Sequence, residues 1–545
     1  MSRALTPADL ERLPTWLLEV TYAGRVFRWC SAADGLDLTL SDGTIATYAP
    51  GLDPVALVQA ASGPAADPDE LSIPVEVFFP VDVAELEAKG HALDAASAEV
   101  SLLPHGATRT RRRVVLDGQV MAPVYGDADE PVAFSVEAQP WDDGAMIPPS
   151  THVVTASTWP QATGFELPDD SIGAIYPEVI GTPGWLNRSP SATTSGSPGI
   201  VVKFETATSY AHKLLIAGHR VGASSVVVFY DGGNITSTVA HEQDTLGQEC
   251  ATIDISGEAA AVKESGWYWI GWNSADGGRQ LDSGSGVLEL AGDVCEWALR
   301  QTGIKVDAGR WRAARAWLNR YRLAGYIAES VTPWQWLEEN ILPLLPVSVH
   351  NGSGGLYPVL WRSDVVGVDA LVTLTEGIEI DRSGRVEVEA LDDLVNEVRL
   401  EHGLRARTGD FRAYAVVRGQ ATEPIPDGAG ALLNVEHGSY LGTLSQQRYG
   451  PRVLAMSSDW IYGDDVATLI ARDLIAARWA PGKVIRYEAG SDLGWLEPGD
   501  PIKLTDAGIH MSEQPAIVHE IEWVDEGAIG LLLRVSSQPT RDRRV

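Results

Sequence analysis

Apolar and polar residues alternate with a period of two along most of this chain, and only three stretches switch to the three-to-four spacing of a helix. Within the first 150 residues, TWLLEVTYAGRVFRWCS reads as two short strands joined at Ala23 and Gly24. The segment TRTRRRVVLDGQVMAPVYGDADEPVAFSVEA reads as two or three more, broken at Asp117-Gly118 and again from Gly126 to Glu130. Strands at this spacing predict a barrel or small sandwich over residues 1–150.

Between residues 151 and 285 the texture turns to Ser, Thr and Gly, with strands GIVVKFE, SSVVVFYDG and GWYWIGWNS between polar turns. This predicts a separate β-sandwich inserted into the chain, edged by MIPPSTH and DGGRQLDSGSG. Residues 286–375 bring helical periods: GVLELAGDVCEWALRQTG puts Leu290, Val294, Trp297 and Ala298 on one face, with Gly303 as its stop. TPWQWLEENILPLLP offers Thr332 as N-cap and Pro333 at the first helical position. Residues 376–545 return to strands around one helix in YGDDVATLIARDLIAARWAPGK, where Val466, Leu469, Ile470 and Leu474 keep helical spacing and Pro481-Gly482 ends the run. KVIRYEAG, DPIKLTD, PAIVHEIEWVD and AIGLLLRVSS follow as the strands of a closing barrel. The fold class is therefore mainly β with minor α (α+β): several barrel or sandwich domains plus the inserted sandwich.

Composition narrows the function. A chain of 545 residues is expected to hold about three to five domains, and 45% apolar with 21% charged residues is a globular balance. Its 74 acidic against 41 basic side chains give a formal charge of −33, which argues against a surface that grips phosphates. Cys30, Cys250 and Cys295 lie far apart and are expected as buried thiols, without a zinc or disulfide pattern. The N-terminus lacks the pattern of a secretory leader and no run of about 18 apolar residues occurs, so no membrane span is expected.

Candidate chemistry is sparse. No nucleophile elbow, zinc-protease helix or phosphate-binding loop is present, and DGAGALL at Asp427 to Leu433 has Leu433 where a dinucleotide fingerprint needs its third glycine. HEQD, His241 to Asp244, reads as a polar loop between strands. Asp169-Asp170 and Asp392-Asp393 do not by themselves make a glycosidase pair. No catalytic residue, metal ligand or cofactor is assigned. In RTRRR, a strand would put Arg109, Arg111 and Arg113 on one face, to meet neighbouring carboxylates or an acidic partner subunit. In GWYWIGW, a strand would turn Trp267 and Trp269 one way and Tyr268, Ile270 and Trp272 the other. Either face is core, or Trp267, Trp269 and Trp272 offer an aromatic contact for a glycan or partner.

The last 200 or so residues, ALDDLVNEVRLEHG, SQQRYGPRVLAMSSDWIYGDDVATLIARDLIAARWAPGKVIRYEAG, LGWLEPGDPIKLTD and PAIVHEIEW, resemble the hub proteins of phage tail baseplates. In that family a Val-Asn-Glu-Val strand leads to a Tyr-Gly turn, an Asp-x-x-Ala helix and a barrel turned at Pro-Gly-Asp. RLAGYIAESVTPWQWLEENILPLLP with GLYPVLWR, and RRRVVLDGQVMAP with PVAFSVEA, are similar to the family's middle and first elements. The resemblance implies a non-enzymatic virion protein at the tail tip of a siphophage or related particle, assembled in the host cytoplasm. It further implies a homotrimeric hub ring between the distal tail protein and a central spike or fibre protein. Tape measure protein and DNA would pass through its lumen without specific binding, as the acidic charge allows. The alternative, from 18 tryptophans and the Ser/Thr/Gly-rich β region, is a carbohydrate-binding or polysaccharide-degrading protein concerned with receptors.

Overall fold

A computed structural model describes residues 14–40, 42–53, 57–60, 72–103, 107–126, 130–138, 145–184, 195–207, 209–230, 233–255, 267–272, 277–281, 286–352, 354–361, 370–419, 433–523 and 528–535. DGAGALL, Asp427 to Leu433, lies outside the described residues except at Leu433.

The first strands, Thr15–Tyr22 and Arg25–Cys30, pair in the register Tyr22↔Arg25. Their two-residue turn has positive φ at both Ala23 (50°) and Gly24 (73°), the twist that a tight hairpin needs. Eight strands form the sheet, in the spatial order Leu36–Thr39, Ile45–Pro50, Arg25–Cys30, Thr15–Tyr22, Ser97–Leu103, Arg113–Val124, Val132–Ala138 and Ser72–Val77. Alternation along Thr15–Tyr22 sends Leu18, Val20 and Tyr22 to a large core and Leu17 to a smaller one with Cys30 and Tyr48.

The expected break at Asp117-Gly118 is absent, because Arg113–Val124 runs through it as one strand. Gly118 is there for space: a Cβ on it would stand 1.8 Å from the Glu137 carbonyl oxygen of the neighbouring strand. A short helix, Val83–Ala88, capped by the Asp82 side chain, also interrupts what reads as pure β sequence.

The inserted region closes on itself. Strands Ser197–Glu205, Tyr210–Ala217, Glu249–Asp254, Gly233–Gln243, Ser225–Tyr230 and Trp267–Trp272 pair in that order, and the last returns to the first through Ser197↔Ile270 to Ile200↔Trp267. The two faces expected of a sandwich thus become one closed barrel around Val201, Leu214, Ile216, Val226, Val228, Ile253, Ile270 and Trp272.

Three helices follow: Ala291–Gln301, Ala308–Leu318 and Pro333–Asn340. As expected, Thr332 caps the third, accepting from the Gln335 backbone N–H at 3.3 Å. They share a core with the helix Asp464–Arg478 and the sheet of Glu397–Arg405 and Asp410–Arg418. The C-terminal barrel orders Thr373–Thr375, Pro501–Asp506, Met511–Trp523, Ala528–Val535, Lys483–Gly490 and Ile380–Arg382, nearly closed by a Glu376↔Ile380 bridge.

First and last barrels are not independent. One hydrophobic core holds Val20, Val100 and Val136 together with Leu504, Ile521 and Leu531, and the Trp16 and Trp523 rings meet edge to face at 5.4 Å. Leu57–Ala60, between strands of the first sheet in sequence, pairs instead with the last barrel, antiparallel to Glu520 to Trp523.

Candidate functional site

The turn Glu497-Pro498-Gly499-Asp500 is where three parts of the chain converge. Gly499 holds φ at +87°, and a Cβ there would fall 2.2 Å from Val359 Cγ2, so only glycine fits. Its N–H donates to the Val518 carbonyl at 2.6 Å, while the Asp500 carboxylate accepts from the Glu497 N–H at 2.8 Å. From the hairpin after the helices, the Tyr357 hydroxyl donates to the Pro498 carbonyl at 2.8 Å. From the first barrel, the Arg113 guanidinium donates to the Leu496 carbonyl at 2.8 Å and faces Trp523. From the helix Ala308–Leu318, Arg310 binds Glu497 at 2.8 Å and Asp500 at 2.9 Å and lies over the Tyr357 ring.

Glu497, Asp500 and Tyr357 are all buried. Burial pushes the Asp500 carboxyl up to about 6 against the pull of Arg310, and burial beside Glu497 pushes the Tyr357 hydroxyl well above its ordinary value. Burial also lowers Arg113, opposed by Glu497 and Asp500. Two guanidiniums against two carboxylates make a charge-balanced joint between first barrel, helices and last barrel.

The basic run does not form the one-faced strand expected. Arg109–Arg111 is a 3-10 turn, fixed by Arg111 N–H to Thr108 O and Arg112 N–H to Arg109 O, and successive side chains therefore fan out. Arg109 chelates Glu19 at 2.7 and 2.9 Å, Arg112 chelates Glu99, Arg113 enters the joint, and Arg111 is exposed.

In the aromatic strand, Tyr268, Ile270 and Trp272 are buried inside the closed barrel, and the Trp272 indole donates to Ser197 Oγ at 3.0 Å. Trp272 is thereby corrected from candidate contact to core residue. Trp269 is half-buried, and the Trp267 side chain lies outside the described residues.

His241 to Gln243 end the strand Gly233–Gln243 instead of forming a loop. Their partners are internal: His241 accepts from the Val221 N–H, Glu242 takes Lys213, and Asp244 takes the Tyr176 hydroxyl at 2.8 Å. Among the described residues no group of three or more His, Cys, Asp or Glu converges as a metal site. Cys30, Cys250 and Cys295 are buried and free, with burial raising each thiol. No helix among the described residues is long and apolar enough to cross a membrane.

A cleft of about 580 Å³, lined by ion-paired side chains and by apolar ones such as Ile147, Leu281 and Leu288, lies between the inserted barrel and the helix Ala291–Gln301. On the barrel side Arg279 chelates Glu178, at 2.6 Å between Nη2 and Oε2. Burial opposes ionisation of Glu178, yet Arg279 holds its carboxyl below the usual range. His219 Nε2 accepts from the Val179 N–H at 3.0 Å and its Nδ1 faces the Arg220 carbonyl at 2.9 Å, which makes it a neutral donor through Nδ1. Burial lowers its pKa to about 4. On the helix side Arg300 pairs with Glu296 at 2.6 Å, and Arg315 with Glu296 at 3.0 Å and Asp293 at 3.3 Å. Trp297, half-buried, stands between the two sides under the Arg279 guanidinium. No sequence signal marks this cleft, since Glu178 and Arg279 are 101 residues apart.

No family model matches the sequence, and no curated protein matches it. Among solved structures, the 43 kDa tail protein of prophage MuSo2 from Shewanella oneidensis is 8% identical, with 95% of this chain and 98% of that one covered and a TM-score of 0.36. A tail protein from Neisseria meningitidis MC58 is 10% identical, covering 95% and 96% with a TM-score of 0.35. Prophage tail protein gp18 from Listeria monocytogenes EGD-e is 8% identical, covering 91% and 93% with a TM-score of 0.29. What the chain is similar to in structure, over nine-tenths or more of its length, are thus tail proteins, two of them named as prophage products.

Proposed function

We infer that the chain is a structural protein of a phage tail, and more narrowly a tail-tip hub. In this reading residues 1–150 and 376–545 supply two hub barrels, 286–375 the helical link, and 151–285 an outward decoration. Three copies close a ring between the distal tail protein and a separate spike or fibre, around a channel for tape measure and DNA.

One observation carries the reading. The Pro-Gly-Asp turn, on which the sequence resemblance to hub proteins centres, is the joint at which Arg113, Arg310 and Tyr357 tie the first barrel and the helices to the last barrel. With the shared core and the Leu57–Ala60 pairing, it makes the two barrels one stiff unit, the property a ring segment needs.

Light scattering on the purified chain, with negative-stain images of the same peak, is the test. The expected outcome is a threefold particle with a central opening, formed alone or on adding the distal tail protein. A chain that stays monomeric in both conditions overturns the ring.

A further inference from the structure

We propose that the cleft between the inserted barrel and the helix Ala291–Gln301 is a binding site for a short neutral oligosaccharide. The proposal does not rest on the tail reading, because it uses only the chemistry of the cleft walls.

Charge decides the class of ligand. The three guanidiniums that line the cleft are each matched by carboxylates: Arg279 by Glu178, Arg300 by Glu296, and Arg315 by Glu296 and Asp293. His152, also in the lining, is held by burial below its ordinary pKa. No uncompensated charge is left to draw in a phosphate, an acidic sugar or a cation.

What remains is a dense set of oriented donors and acceptors. The carboxylates are taken up by the arginines, but a guanidinium has five N–H donors, so Arg300 and Arg315 keep donors beyond their ion pairs for the adjacent hydroxyls of a sugar. Gln301 on the helix and Gln248 opposite add amides, and Gln248 is already oriented by its bond to the Gly218 carbonyl at 2.9 Å. Trp297 supplies the apolar wall against which a sugar's C–H face packs. The volume of about 580 Å³ lies in the range of small-ligand sites, roughly 300–1,000 Å³. Met146, Ile147, Pro149, Leu281 and Leu288 add apolar surface to the same walls, further ground for the C–H faces of a sugar.

The sequence offers Trp267, Trp269 and Trp272 either as core or as an aromatic contact for a glycan or partner, whereas the cleft sits at the root of the insert with Trp272 sealed in the barrel core. The cleft therefore moves the expected contact to Trp297, on a helix outside the insert.

The test is saturation-transfer NMR on the full chain with maltotriose, cellotriose and N,N′,N″-triacetylchitotriose, and with sialyllactose as a charged control. At least one neutral trisaccharide is expected to bind, more tightly than sialyllactose. Its Kd should weaken about tenfold, or ~1.4 kcal/mol, in Trp297→Leu and in Arg300→Ala. Arg300 is more than half exposed, so its variant folds even where Trp297→Leu loses packing against Trp336. Absence of binding by all three neutral sugars, preference for sialyllactose, or binding unchanged in both variants overturns the proposal.

Discussion

Arg310 crosses from a helix to hold two buried carboxylates, and its removal leaves Glu497 and Asp500 without their main counter-charge. Arg310→Leu is therefore expected to cost about 3 kcal/mol in chemical denaturation, within the range for breaking buried ion pairs. Asp500 and His219 then give stability opposite pH dependences. Asp500 has a folded pKa of about 6, above the unfolded ~3.9, so its contribution is complete below about pH 4 and is lost as pH rises through 6. His219 has a folded pKa of about 4, below the unfolded ~6.5, so its contribution is complete above pH 6.5 and is lost as pH falls towards 4. Each term amounts to about 3 kcal/mol and the two nearly cancel. Asp500→Asn removes one of them. Between pH 6 and 4 its stability should fall by about 2 kcal/mol relative to wild type, since the two pH values lie on the two pKa values, and parallel urea melts check this.

Turns and caps carry their own physics into the sequence, and there the reading succeeds. Ala23-Gly24, Thr332-Pro333 and Pro498-Gly499-Asp500 each act through a backbone requirement that local chemistry announces. Gly499→Ala is expected to cost about 2–3 kcal/mol from its positive φ and the collision with Val359. Adding Val359→Ala should recover the collision part and leave the φ part, as equilibrium denaturation of both variants would show. Helices without a broad apolar stripe escaped. Ala308–Leu318 buries only Trp311, Ala314 and Leu318 amid arginines, and Tyr440–Tyr449 buries only Gly442 and Ser445. Sequence shows RTRRR as a charge run, but the directions of Arg109, Arg112 and Arg113 come from Glu19, Glu99 and Leu496, which lie elsewhere in the chain. The cleft was illegible for the same reason, since its two walls meet only after the insert has closed.

At the scale of the molecule, the shared core makes the first and last barrels one cooperative unit, while the insert has a closed core of its own. Hydrogen exchange should therefore show Ser97–Leu103 and Lys483–Gly490 opening with the same free energy, and Trp523→Ala should lower both together. Separate opening of those two strands would contradict a single unit. The strand Leu57–Ala60 has a further consequence for how the protein is made. Its pairing partner, Glu520 to Trp523, is made more than 450 residues later. Leu57–Ala60 must wait, without its strand partner, until that segment has been made. A nascent chain stalled before Met511 would leave Leu57–Ala60 unpaired although the eight strands of the first sheet, between Thr15 and Ala138, had all been made, so the joining of the first sheet to the last barrel is timed by the synthesis of Met511–Trp523.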